Sequence, residues 1–241
     1  MDNSIYIVLS RQSAAFRKMN TLAHNIANAN TVGFQAQRMM FNDYLVDDGN
    51  HHKMAFTQDI ATYHDTRPGS LRVTENPLDL AISGDGYFMV QTANGRPMYT
   101  RGGSFQIDGS GTIVNTEGMP LLDDGGQPIQ IDEETRTIDV GEDGTMLVNG
   151  EQFSTIGMVE FQNRQTLVPI ANGVYDAGDQ LPQAPENSRM MQGTLEESNV
   201  QTVVEIVEML QTTRTAESTS KFIEALYDLE RKTSNTYATE S

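Results

Sequence analysis

Two stretches of helical periodicity bracket a long middle segment whose apolar residues come in short, alternating runs. In residues 4–27 apolar or small residues recur at Ile5, Leu9, Phe16, Met19, Ala23 and Ile26, with Gln12 filling the one gap and Leu22 beside the line. The spacing alternates four and three, the 3.5-residue seam of a helix that packs on another helix. It predicts a helix from Ser4 to Ala27, about 36 Å long. Asn3 or Ser4 is suited to cap its start. Asn28, Asn30 and Gly33 tolerate left-handed backbone and mark its end.

Residues 198–232 repeat the pattern. Ser198 or Asn199 is placed to cap. Val203, Val207 and Leu210 form one seam, and Met209, Thr213, Ala216, Ser220, Ile223 and Tyr227 form another. The second seam is small and partly polar around Thr213 to Ser220. Small residues allow close approach of two helices but bury little area, so this helix is weakly stable alone.

Between the ends, NPLDLAISGDGYFMV (76–90) alternates as strands do and breaks at Gly84-Asp85-Gly86. Further breaks fall at Asn94-Gly95, Arg101-Gly102-Gly103, Asp108-Gly109, Asp124-Gly125-Gly126, Glu142-Asp143-Gly144 and Asn149-Gly150. Turn signals this regular predict an antiparallel sheet or small barrel. IDGSGTIV (107–114) echoes VGEDGTML (140–147), which reads as one hairpin solution used twice. Residues 43–75 are polar and poorly periodic. Residues 176–194 are rich in Pro and Gly. The expected class is α+β. A terminal helical domain (1–35 plus 195–241) pairs the two helices, an extended connector covers 36–75, and a mainly antiparallel β domain covers 76–194.

Composition favours partnered helices and a thin β module over one large globule. Across 241 residues, 37% are hydrophobic and Trp is absent, with a mean hydropathy of −0.45. The net charge of −17 argues against nucleic acid, which needs clustered Lys and Arg to displace counterions. The charge is uneven. Residues 1–42 hold four basic groups (Arg11, Arg17, Lys18, Arg38) and one acid (Asp2), whereas residues 196–241 hold nine acids and four basic groups. The ends are complementary and suited to pairing. The absence of Cys removes disulfides, thiolate nucleophiles and Cys-based zinc sites together. No stretch is long and apolar enough to insert in a membrane, and the opening MDNSIYIVLSRQ lacks the layout of a cleaved secretory signal.

No catalytic constellation stands out. The histidines are His24, His51, His52 and His64. The adjacent pair on an extended chain points to opposite faces, which makes it a poor chelator. The acidic groups Asp123-Asp124, Asp132-Glu133-Glu134 and Asp139 to Asp143 lack the calcium-loop order of oxygens and read as turn and solubility residues. Gly84-Asp85-Gly86 lacks the third glycine and following helix of a dinucleotide loop. Catalytic, cofactor and metal residues are therefore expected to be none. The most unusual local feature is the run His24-Asn25-Ile26-Ala27-Asn28-Ala29-Asn30-Thr31. A helix end needs only one or two such residues. Asn25, Asn28, Asn30, Gly33 and Phe34 are read as a specified joint, because Asn carries both donor and acceptor and can tie a chain reversal to a neighbouring helix.

These segments resemble a known family. NTLAHNIANANTVGFQAQR resembles the signature of the bacterial flagellar rod and hook proteins, the axial proteins of the basal body. NPLDLAISGDGYFMVQ and YTRGGSFQIDGSGTIV resemble the family's β-domain motif. LEESNVQTVVEIVEMLQTTRTAESTSKFIEALYDLERK resembles its C-terminal helix, with Arg214, Glu217 and Lys221 at the family's spacing. One departure is Ala216-Glu217, where many relatives carry Tyr-Glu. The opening residues and the length look most like the proximal-rod member. The resemblance implies a structural subunit of the proximal rod, with an inner helical domain and an outer β domain. It further implies export through the flagellar apparatus without a cleaved signal, assembly in the periplasm with proximal and distal rod proteins, and a helical tube that transmits torque. The expected assembly interface comprises Ile5, Leu9, Phe16, Met19, Leu22, Ala23, Ile26, Val203, Val207, Leu210, Ala216, Ile223 and Tyr227. The alternatives are a distal-rod or hook member, or a secreted carboxylate-based hydrolase of cell-wall sugar.

Overall fold

The computed structural model describes residues 2–47, 53–132, 137–171 and 173–239, with residues 2–7, 41–47, 53–60, 230 and 233–239 described by their backbone alone. The chain is α+β and mainly antiparallel in its β-rich centre. It divides into two compact units, one of residues 1–27, 37–64 and 201–241 and the other of residues 28–36 and 65–200.

The helical unit contains α1 (Asp2–Ala27), β1 (Gln37–Asp47), β2 (Lys53–His64) and α2 (Thr202–Thr239). The two helices run antiparallel. Gln12 Nε2 donates to Ser220 Oγ at 2.9 Å, Thr213 Oγ1 donates to Met19 Sδ at 3.5 Å, and Lys18 meets Glu208 at 3.2 Å. The complementary end charges thus meet within the chain. That ion pair is half exposed and contributes no more than about 1 kcal/mol. Strands β1 and β2 form an antiparallel hairpin from Gln37↔His64 to Asp47↔Lys53, with a register shift between Met40 and Phe41. Helix α1 packs on both strands as well as on α2.

Three sequence expectations differ from this arrangement. Residues 37–47 and 53–64, placed in an extended connector, are paired antiparallel strands. The register shift breaks the period-two alternation part-way along β1, which removes the pattern a strand reading needs. Helix α1 already begins at Asp2, so Asn3 and Ser4 lie inside its first turn. Helix α2 begins at Thr202, past Ser198 and Asn199. Asn199 instead clamps the β unit: its Oδ1 accepts from Ala36 N at 2.7 Å, and its Nδ2 donates to Asp65 O at 2.7 Å and Arg67 O at 2.8 Å.

The β unit contains β3 (Leu71–Val73), β4 (Leu80–Ser83), β5 (Tyr87–Gln91), β6 (Pro97–Thr100), β7 (Phe105–Ile107), β8 (Ile113–Asn115), β9 (Ile138–Val140), β10 (Thr145–Val148), β11 (Glu151–Thr155), β12 (Met158–Val159), β13 (Val168–Ala171), β14 (Val174–Asp176), β15 (Arg189–Gln192) and β16 (Thr194–Glu196). A five-stranded sheet in the order β12-β5-β6-β14-β13 is joined by a three-stranded sheet β11-β10-β9 and three two-stranded ladders, β15-β4, β16-β3 and β7-β8. The Gly-containing breaks fall between strands. At Asn149-Gly150 both residues are left-handed, with φ 53° and 84°, as a two-residue hairpin turn between β10 and β11 requires. The sequence echo is also structural. Asp108 N donates to Thr112 O while Gly111 N donates to Asp108 O. Gly141 N donates to Thr145 O while Gly144 N donates to Gly141 O in the same way.

Two apolar clusters fill the β unit. One is built on Leu80, Ile82, Phe88, Val90, Ile113, Leu121, Met146 and Ile156. The other centres on Tyr87, Tyr99, Phe161 and Tyr175, whose rings meet edge to face. Burial pushes the Tyr87 hydroxyl above its ordinary pKa and the Tyr175 hydroxyl well above it. Beside them lies a buried ion pair. Arg101 and Glu196 are each 3% exposed and 2.5 Å apart. All five guanidinium N–H donors are used. Nε reaches Glu196 Oε2 at 2.8 Å, Nη2 reaches Glu196 Oε2 and Ile82 O, and Nη1 reaches Gly84 O and Gly86 O. Glu196 Oε1 accepts from Gly69 N at 3.0 Å. The pair therefore fixes the 84–86 turn, the end of β6, β16 and the entry to β3 in one network.

Glu196→Ala is expected to lower the stability of the β unit by about 3–5 kcal/mol, because it strands a buried guanidinium. The midpoint of urea unfolding, followed by near-UV circular dichroism of the buried tyrosines, measures it. In the helical unit, burial and then the neighbouring His24 lower the His64 pKa. The unfolded chain binds that proton first, so the contribution of His64 is complete above about pH 6.5 and declines as pH falls below it. A His64→Asn chain is expected to lose less stability than the parent between pH 6.5 and 5 in thermal melts.

Candidate assembly interface

The helix faces are inverted relative to a self-sufficient pair. The seam between α1 and α2 is polar or small over much of its length. It includes Gln12, Met19, Thr212, Thr213, Ala216 (7% exposed) and Ser220. Its hydroxyls bond back to their own helix: Thr212 to Glu208 O, Thr213 to Met209 O and Ser220 to Ala216 O. Such back-bonding satisfies the hydroxyl proton within its own helix, and the Ser220 oxygen still accepts from Gln12 across the seam. Leu22 is buried and Met19, Ile26, Met209 and Ile223 are half-buried on the inward side, but other large apolar residues face outward. Leu9 is 43% and Phe16 52% exposed on α1, and Val203, Val207 and Leu210 are 75%, 47% and 56% exposed on α2.

The α1 heptad line therefore splits. Gln12, Met19 and Ile26 are half-buried, whereas Leu9, Phe16 and Ala23 are exposed. The hairpin accounts for the split. It packs on α1 beside α2, and Ala14 and Leu22 are buried (5% and 3% exposed), so the covered arc is centred away from Leu9 and Phe16. Ile5 lies in the first turns of α1, and its side chain is outside the described residues. On α2, Ala216 and Ile223 face inward and Tyr227 is exposed. The outward line Val203-Val207-Leu210 continues at helical spacing through Arg214, Glu217 and Lys221, all exposed. One face of α2 thus passes from apolar to charged along its length.

A buried polar knot fixes the base of this pair. Asn25 is fully buried. Its Oδ1 accepts from Gln37 N at 2.9 Å, and its Nδ2 donates to Gln37 O at 2.9 Å and to Glu205 Oε2 at 3.0 Å. Glu205 is also fully buried, and Arg38 approaches its other oxygen at 2.7 Å. That contact is ionic, outside hydrogen-bond geometry. The knot joins the last turn of α1, the first residues of β1 and the first turn of α2. Glu205 was not singled out from sequence. The signal was a lone carboxylate inside the β-branched run Val203-Val204-Glu205-Ile206-Val207, on the inward line.

The remaining joint residues belong to the β unit. Asn28 Oδ1 accepts from Thr31 Oγ1 at 3.1 Å. Asn30 is exposed. Gly33 has φ 68°, and a Cβ there would sit 2.3 Å from Arg101 C, so both the turn and the close approach require glycine. Phe34 packs with Ala29, Ala36 and Val200.

Other chemistry is sparse among the described residues. No three His, Asp or Glu side chains stand close enough to hold a metal, and no helix is long and apolar enough to cross a membrane. His24 is exposed on the last turn of α1. His51, His52, Glu133 and Glu134 lie outside the described residues.

Three family profiles match the chain. The flagella basal body rod protein profile covers residues 5–35, the flagellar hook protein FlgE/F/G D1 domain covers 81–148, and the flagellar basal body rod FlgEFG protein C-terminal profile covers 191–236. They coincide with α1 and its exit, with β4 to β10, and with β15 to α2. Among full-length relatives, the flagellar basal-body rod protein FlgF of Mesorhizobium japonicum is 36% identical over 222 residues, 91% of each chain. The FlgF of Caulobacter vibrioides is 35% identical over 237 residues, 96% of each chain. The flagellar basal-body rod protein FlgG of Bacillus subtilis is 31% identical, over 92% of this chain and 94% of the relative.

Glu205→Ala is expected to loosen the helical unit by about 2–3 kcal/mol, since it leaves Asn25 and the partly exposed Arg38 without their partner. Glu205→Gln keeps an acceptor for Asn25 and is expected to lose about half as much. Amide hydrogen exchange along α1 and α2 separates the two.

Proposed function

The chain belongs to the family of flagellar basal-body rod proteins, and we propose that within it this protein is an axial structural subunit of the proximal rod, held to its neighbours by the outward faces of α1 and α2. The observation that carries this reading is the inversion of the helix pair. A lone molecule gains by turning leucine, valine and phenylalanine inward and threonine and serine outward. This one keeps the small, hydroxyl-bearing residues in its own seam and offers Leu9, Phe16, Val203, Val207 and Leu210 to the outside. Exposed apolar side chains aligned at helical spacing on each helix mark a contact surface.

Covering each of these half-exposed side chains contributes about 1 kcal/mol. Two such stripes on one helix pair offer different surfaces to different neighbours, and heterologous contacts of that kind build an open helix rather than a closed ring. The charged end of the α2 face, Arg214, Glu217 and Lys221, then sets register between subunits through paired charges. The partners on this reading are other proximal and distal rod subunits, together with the flagellar export apparatus that delivers the chain. The place of assembly is the basal body, along the rod that crosses the periplasm. The FlgF relatives of Mesorhizobium japonicum and Caulobacter vibrioides, at 36% and 35%, exceed the FlgG of Bacillus subtilis at 31%, which supports the proximal position. The role is structural: the tube transmits torque, and no substrate or cofactor enters the account.

Leu9→Asp and Leu210→Asp each place a carboxylate where an apolar neighbour must desolvate it. In cells lacking the native chain, both variants are expected to leave rods unfinished and swimming abolished, with the β-unit circular dichroism unchanged. Complete rods built from either variant would remove the stripes from the mechanism.

A further inference from the structure

We infer that Asn199 is the positioning residue that couples the helical unit to the β unit, by fastening three of the four chain crossings between them into one node. The node lies within the β unit and does not rest on the helix stripes.

The chain passes from one unit to the other at 27/28, 36/37, 64/65 and 200/201. Each crossing is a single strand of main chain, and two compact units joined by such links move against each other unless something restrains them. Two of the crossings pair with one another. Asp65 N donates to Ala36 O at 2.8 Å, so residues 36 and 65 leave the β unit as one ribbon, continued by the Gln37↔His64 pair. A two-stranded ribbon resists bending in its own plane and yields across it.

Asn199 ties the third crossing to that ribbon. It is the second residue before 200/201 is passed, and its main-chain N donates to Phe34 O at 3.3 Å. Its Oδ1 accepts from Ala36 N at 2.7 Å, and its Nδ2 donates to Asp65 O at 2.7 Å and to Arg67 O at 2.8 Å. One amide thus grips both strands of the ribbon, with its acceptor and both donors in use. Asp has no donor in its ionised form, and Ser or Thr has only one. An apolar cluster backs the amide. Phe34, Ala36 and Val200 are buried together, and Ala29, the second residue past the first crossing, packs against them. The β core does not need the Asn199 bonds, because Arg101 and Gly69 already hold β16 through Glu196. What these bonds add is a link between the segments that lead out of the unit.

The absence of cysteine allows one nitroxide label in each unit, on Ser13→Cys and Gln106→Cys, both exposed positions. Full-length labelled chain is diluted with unlabelled chain, and double electron–electron resonance gives the spread of distances between the labels. Adding Asn199→Asp sets carboxylate oxygens against Asp65 O and Arg67 O. It is expected to widen the spread about twofold, with the near-UV circular dichroism of the buried tyrosines unchanged. Asn199→Ala removes the same bonds without repulsion and is expected to widen it as well. Val90→Ala loosens the β core away from the node and is expected to leave the spread as it was. A spread unchanged by Asn199→Ala overturns the inference, whatever the Asp variant does. So does an equal widening from Val90→Ala, which assigns the effect to general loss of stability.

Discussion

A carboxylate removed from water must have its charge answered within the protein, and Glu205 does this for the helical unit. Taking such a group out of solvent costs several kcal/mol unless donors surround it. Asn25 supplies one from the end of α1, and Arg38 supplies a cation from the start of β1. The three elements cannot shift independently without leaving a buried group unpaired. Apolar area cannot provide that restraint, since the seam above the knot is largely hydroxyl and small side chain. Polar specificity at the base holds a helix pair whose apolar surface is directed elsewhere.

The β unit solves a related problem with the same chemistry. Its strands are short, mostly three to five residues, and its sheets are small. Few ladder hydrogen bonds cross from one sheet to the next. The Arg101 guanidinium spans that gap. It binds three main-chain carbonyls at the end of β4 and the turn after it, and the Glu196 carboxylate of β16. Both units are thus pinned by a buried charge near an element boundary. The apolar clusters supply bulk stability and the charged residues decide register, a division of labour suited to a part that must repeat identically along an assembly.

On the proposed reading, the outward faces connect this architecture to its role. Hydrophobic burial is non-directional, so an apolar stripe alone specifies contact without orientation. The line on α2 that passes from Val203 and Leu210 to Arg214, Glu217 and Lys221 combines area with direction. Close packing of small residues in the inner seam has a further effect. It keeps the pair slim and leaves Leu9, Phe16, Val203 and Leu210 exposed.

Much of this was legible in the residues. The 3.5-residue spacing marks both helices, because burial on one side of a helix imposes its own period on the side chains. The Gly-containing breaks mark the β turns, because left-handed backbone excludes most other residues at Asn149-Gly150 and similar sites. The strand pair of residues 37–47 and 53–64 was not legible, since a register shift erases the alternation that betrays a strand. Nor was the sorting of the α1 line into a covered half (Gln12, Met19, Ile26) and an uncovered half (Leu9, Phe16, Ala23). Periodicity reports that a face is apolar and is silent on how many elements share it. Local sequence sets what each segment can become, through side-chain period and backbone sterics. Which apolar side chains are covered, and which lone carboxylate becomes the knot, depends on contacts between residues as distant as Asn25 and Glu205, and only the folded chain brings those together.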